Sequence, residues 1–65
     1  MQVRVNGEER ETAAGTVAEF LASVDLPSPL VVVERNGEIV SRDQYSFTLL
    51  QNNDVLEIVQ MMAGG

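Results

Sequence analysis

An α+β fold is what this sequence predicts: one mixed sheet of about five strands packed on a single helix, in the order β-β-α-β-β-β. Three observations lead there. Asn-Gly-Glu occurs twice, after Val5 and after Arg35. Only one segment carries a helical period, and it stands behind a capping signal. The last regular segment alternates as a strand does.

Met1, Val3 and Val5 alternate with Gln2 and Arg4, the period of a half-buried strand. Asn6-Gly7 follows, a strong hairpin signal because both central residues of a type I′ turn need positive φ. Glu8 to Thr12 then return as a polar strand at a sheet edge, where their charges discourage edge-to-edge pairing. Thr16 with Glu19 three residues on forms a capping box. Behind it Val17, Phe20, Leu21 and Val24 fall on one helical face. The helix is expected to stop near Asp25, because Pro27 disfavours helical geometry at Leu26, and Pro29 keeps the connection extended.

Leu30 to Arg35 reads as a buried strand that turns at Asn36-Gly37 into a short one, Glu38 to Val40. Ser41 to Leu50 has no clean period and reads as a turn-rich crossover carrying Tyr45, Phe47 and Leu49 or Leu50 into the core. Asn52-Asn53-Asp54 is a turn cluster before the last strand, Val55 to Gln60. Alternation there places Leu56 and Ile58 toward the helix and Val55, Glu57 and Val59 on the opposite face. Val59, Met61 and Met62 then extend as an apolar strip, either capping a loose edge of the core or docking a partner. Residues 1–60 are expected to form the domain and 61–65 a flexible tail.

Composition excludes several function classes. A chain of 65 residues is one domain with one core, burying only about 60% of the surface its unfolded form exposes. Cysteine, histidine, lysine and tryptophan are all missing. That removes disulfides, thiolate or imidazole metal ligands, and the usual nucleophile and general base. Autonomous catalysis is not expected. Four arginines against ten acidic residues give a formal net charge of −6, which repels nucleic acid and anionic membranes and suits a basic protein partner. Glu8, Glu9 and Glu11 read as an edge-protecting row, not a metal site, since only two of them share a strand face. Arg35 and Arg42 are candidates for acidic partner groups, and Asp54 and Glu57 for a basic one. The longest apolar run is four residues, Leu30 to Val33, with no transmembrane span, signal peptide or transit sequence legible, so a cytoplasmic location is expected.

The sequence ends Met61-Met62-Ala63-Gly64-Gly65 directly after a strand. Two terminal glycines arise by chance in roughly 0.5% of chains, so a frayed end or a linker stays open beside a functional reading. The functional reading concerns access. A Gly-Gly end threads a narrow channel, adopts φ values closed to other residues, and leaves its carbonyl carbon unhindered.

The whole chain resembles the ThiS family, the sulfur carriers of thiamine biosynthesis. The resemblance rests on Val5-Asn6-Gly7-Glu8, Gly15-Thr16-Val17-Ala18-Glu19-Phe20-Leu21 and Val33-Glu34-Arg35-Asn36-Gly37-Glu38-Ile39-Val40, with Asp54 to Val59 and Ala63-Gly64-Gly65. It implies a ubiquitin-like β-grasp fold. It implies adenylation of Gly65 by an E1-like (ThiF-like) adenylyltransferase that uses ATP, and conversion to a thiocarboxylate with sulfur from a persulfide donor. Delivery to a ThiG-like thiazole synthase follows. Gly64 and Ala63 would enter the partner active site, and Val59, Met61, Met62 and Glu57 would dock. No bound cofactor, metal or catalytic residue is implied. Two positions depart from the family pattern: Ser41 precedes Arg42 where proline is frequent, and Asn52-Asn53-Asp54 replaces Asp-Gly-Asp. Carriers for molybdopterin, cysteine synthesis or tRNA thiolation share the terminal chemistry. A ubiquitin-like modifier and a plain binding module remain as rival classes.

Overall fold

The computed structural model describes residues 1–26 and 31–60. Five strands form one sheet: β1 (Gln2–Val5), β2 (Glu8–Glu11), β3 (Val31–Arg35), β4 (Glu38–Val40) and β5 (Asp54–Gln60). Their order across the sheet is β2-β1-β5-β3-β4. β5 runs parallel to β1 and antiparallel to β3, so the last strand in sequence is the central one. The helix α1 (Val17–Ser23) lies between the two hairpins in sequence, and its buried Val17, Phe20 and Leu21 pack with Val3, Val5, Val33, Leu56 and Ile58 of the sheet. The element order and the inward face of β5 are as the sequence predicts.

Every N-terminal N–H of α1 finds an acceptor, as a helix end near a core requires. Val17 N–H donates to the Thr48 carbonyl and Ala18 N–H to the Tyr45 carbonyl. Glu19 N–H donates to Thr16 Oγ1 at 3.1 Å, and the Glu19 carboxylate accepts from Gly15 N–H at 2.7 Å. The capping box therefore forms, with the glutamate reaching one residue further back than its usual target.

Those same bonds correct the reading of the crossover. Holding the Tyr45 and Thr48 carbonyls at the helix terminus, with Arg42–Gln44 wound as a 3₁₀ turn, buries Tyr45 and Leu50. It leaves Phe47 74% and Leu49 66% exposed. Phe47 is not a core residue, and of the two leucines it is Leu50 that packs. Tyr45 spends its hydroxyl on the Val31 carbonyl at 3.2 Å, so its burial leaves no unmet donor.

The helix stops near Asp25, as the sequence predicts, and its end is closed by backbone bonds. Asp25 takes φ 59°, Asp25 N–H donates to the Ala22 carbonyl and Leu26 N–H to the Leu21 carbonyl. This is a Schellman motif, normally closed by glycine. Pro27, Pro29 and Leu30, to which the sequence reading assigns the stop and the extended connection, lie outside the described residues.

Candidate functional site

The site is built around β5, because this strand carries the chain toward its last five residues. Both neighbours of β5 end in an Asn-Gly turn, and both turns have the same backbone: φ 51° and 85° at Asn6-Gly7, 52° and 87° at Asn36-Gly37. Such a turn swings the backbone away from β5 at once. In each case the asparagine side chain stays behind and continues the ladder. Asn6 Nδ2 donates to the Ile58 carbonyl at 3.0 Å while Ile58 N–H donates to Asn6 Oδ1 at 2.7 Å. On the other side Asn36 N–H donates to the Val55 carbonyl at 2.7 Å. Val55 N–H returns a bond to Asn36 Oδ1 at 2.9 Å. An amide is needed at Asn6 because one side chain must both give and accept.

Asp54, where β5 begins, is 5% exposed. Its carboxylate accepts from Arg35 Nε at 2.8 Å, Asn36 Nδ2 at 3.0 Å and Gln51 N–H at 2.8 Å. Burial pushes its pKa up, but the hydrogen bonds from Gln51, Asn36 and Arg35, with the Arg35 charge, outweigh it and leave the pKa below the ordinary value. Asp54 and Arg35, two candidates for partner contacts in the sequence, are therefore paired with each other within the domain. The turn before β5 departs from Asp-Gly-Asp at Asn53, which adopts φ 71°. After glycine, asparagine is the residue best suited to that region, so the substitution keeps the turn geometry.

Beyond this anchor the strand alternates cleanly. Leu56 and Ile58 are buried, whereas Glu57 and Val59 are exposed on the side away from the helix. Val59, 61% exposed, does not cap the core; it stands opposite Val32 of β3. Glu57 lies opposite Glu34. Met61, Met62, Ala63, Gly64 and Gly65 lie outside the described residues, one step beyond Gln60.

The acidic edge behaves as its charges suggest. Glu8–Glu11 is an edge strand exposed throughout, with Glu9 on Arg4 at 3.4 Å and Glu11 on the N-terminal ammonium at 3.3 Å. Among the described residues no group of three or more His, Cys, Asp or Glu is placed to hold a metal. Sequence reasoning missed the ladder role of Asn6 and Asn36 and the Arg35–Asp54 pair. Its one available signal was the repeat of Asn-Gly beside strands of equal character.

A mixed five-stranded sheet with its last strand central and a single helix between its two hairpins defines a ubiquitin-like β-grasp protein. The ThiS family model matches residues 3–65, and the chain belongs to that family. It is 43% identical over 51 residues to the sulfur carrier protein ThiS of Bacillus subtilis, covering 78% of this chain and 77% of that one. It is 38% identical over 66 aligned positions to a thiazole synthase of Magnetococcus marinus, where the whole chain corresponds to only 20% of that protein. The crystal structure of a thiamine biosynthesis protein (ThiS) from Geobacter metallireducens superposes with a TM-score of 0.84 at 29% identity, over all of both chains.

Proposed function

We propose that this protein carries sulfur for the thiazole ring of thiamine as a thiocarboxylate on Gly65. The observation that carries the reading is the position of β5. The family match runs through Gly65, and the strand that precedes that end is the central one of the sheet, hydrogen-bonded on both sides by strands and by Asn6 and Asn36. A partner thus meets a strand held on both sides.

The chemistry belongs to the partners, and this chain is their co-substrate. A carboxylate resists attack by sulfur until a better leaving group replaces its oxygen. One carboxylate oxygen of Gly65 attacks the α-phosphorus of ATP, bound by an E1-like adenylyltransferase, and pyrophosphate leaves. Sulfide then adds to the acyl carbon and AMP departs, leaving the thiocarboxylate. If a persulfide attacks instead, the product is an acyl disulfide, and a thiol must cleave its S–S bond. This chain has no cysteine, so that thiol is a partner's. Its one buried acid, Asp54, is held ionised by three donor groups, which suits an anchor and not a proton shuttle.

The likeness of the whole chain to part of a thiazole synthase supports thiazole synthase as the acceptor. We propose a cytoplasmic location, beside the enzymes the carrier serves. No described helix is long and apolar enough to cross a membrane. Gly64 and Ala63 thread the partner channel, while Glu57, Val59, Met61 and Met62 dock beside it. The test is pyrophosphate exchange catalysed by the adenylyltransferase of the same organism. Exchange should depend on this chain, vanish on deletion of Gly65, and slow with Gly64→Ala while the fold stays intact. An unaltered rate with Gly64→Ala would remove the tight-channel argument.

A further inference from the structure

Asn6-Gly7 and Asn36-Gly37 have a chemistry of their own. Glycine has no side chain, so its backbone nitrogen can approach the side-chain carbonyl carbon of the asparagine before it. In both turns the glycine is exposed, with open space where a Cβ would stand. The asparagine is the part that is held. Asn6 donates through Nδ2 to the Ile58 carbonyl at 3.0 Å and accepts from Ile58 N–H at 2.7 Å, which ties its amide to β5. Asn36 is tied by Asp54 Oδ1 at 3.0 Å and by Val55 N–H at 2.9 Å.

The two ties differ in what must break to free them. Asn36 shares the buried Asp54 carboxylate with Arg35 and Gln51, so freeing it opens a charged cluster. Asn6 meets two neutral backbone groups of a single residue. The register of β1 on β5 ends at Val5 and Leu56. Beyond that point Asn6 supplies the described hydrogen bonds to Ile58 on the β1 side, two residues before Gln60.

We propose that Asn6-Gly7 is a modification site of this protein: Asn6 deamidates when the end of β5 opens locally, and the reaction removes the clamp for good. The Gly7 nitrogen bonds to Asn6 Cγ, the Cγ–Nδ2 bond breaks, and Nδ2 leaves as ammonia with the proton that Gly7 gives up. Water then opens the resulting succinimide ring. Cleavage between Cγ and the Gly7 nitrogen leaves aspartate in an unchanged backbone. Cleavage at the other carbonyl leaves isoaspartate, with the chain running through Cγ. Nothing is oxidised or reduced. Either product carries a carboxylate and no side-chain N–H, so the Ile58 carbonyl loses its donor.

The experiment follows the intact chain at mildly alkaline pH, folded and in strong urea. Reaction is read as the mass gain of an amide replaced by a carboxyl group, and peptide mapping assigns each site. Folding should slow Asn6 by about tenfold or more relative to the urea-unfolded chain, because two hydrogen bonds must open first. In the folded chain Asn36 should react about tenfold more slowly again, because its release disturbs a buried ion pair. The reacted chain should exchange its Ile58 amide about tenfold faster than the starting protein, and Asn6→Asp should show the same rise with Val55 unchanged. Equal rates at Asn6 and Asn36 in the folded chain would mean that only global unfolding exposes them, and would overturn the proposal. So would Asn6 reacting as fast folded as unfolded, or a reacted chain whose Ile58 amide stays protected. If Asn6→Asp does not fold, the order of the two sites in the wild-type chain decides. None of these readouts involves Gly65, so the outcome stands apart from the carrier reading.

Discussion

The two Asn-Gly turns share a backbone and differ in what they hold. Asn36 works at the start of β5, where it shares the buried Asp54 carboxylate with Arg35 and Gln51. Asn6 works near the far end, where its amide alone takes both backbone groups of Ile58, two residues before Gln60. One end of the strand is fixed by charge and the other by a neutral side chain standing in for a missing ladder residue. Charge serves where the strand is sealed into the domain. A neutral clamp serves near the strand's C-terminal end.

The largest effect is expected at the charged end. Asp54→Ala strands the Arg35 guanidinium and two further donors, and should cost about 3 kcal/mol in chemical unfolding near neutral pH. Because the folded pKa of Asp54 lies below its ordinary value of 3.8, its contribution is present above that pH and is lost as pH falls through the folded value. The gap between wild type and variant should therefore narrow in acid. A gap that stays constant down through the carboxylate range would show that ionisation is not what anchors this end.

Asn6→Ala should cost about 2 kcal/mol, because it empties the acceptor and donor facing Ile58 and leaves a non-glycine residue at positive φ. Its signature is local. Amide exchange should quicken at Ile58 while Val55 stays protected, and Asn36→Ala should show the reverse. Exchange that rises evenly along β5 in both variants would mean the strand responds as a unit, erasing the distinction between its ends.

The smallest effect sharpens the comparison with a third left-handed residue. Asp25 closes the helix at φ 59° and makes no bond to another strand. With no clamp to lose, Asp25→Gly should raise stability by about 1 kcal/mol by relieving the left-handed conformation and an acid at a helix C-terminus. A loss on the same substitution would reveal a role for the carboxylate.

How much of this was legible in the sequence follows from how far each cause reaches. Strand order along the chain, the capping box and the inward pair Leu56 and Ile58 depend on neighbours within a few residues, and period and turn chemistry report them. The second duty of Asn6 depends on a strand about fifty positions away, which no local pattern encodes. Phe47 was expected inside on hydrophobicity alone. It turns outward because the helix N-terminus claims the carbonyls of Tyr45 and Thr48, a tertiary demand that overrides composition. Asp54 looked like a surface charge ahead of a strand and proved to be the most enclosed acid described. For the candidate site, alternation alone places Val59 and Glu57 on the outer face, whereas their neighbours Val32 and Glu34 follow only from the β3–β5 register.

The most direct test of the carrier account is the intact mass of the chain after incubation with ATP, a sulfur source and the adenylyltransferase of the same organism. The account predicts a gain equal to replacing one oxygen by sulfur, absent when Gly65 is deleted. An unchanged mass beside an enzyme shown to be active would contradict it.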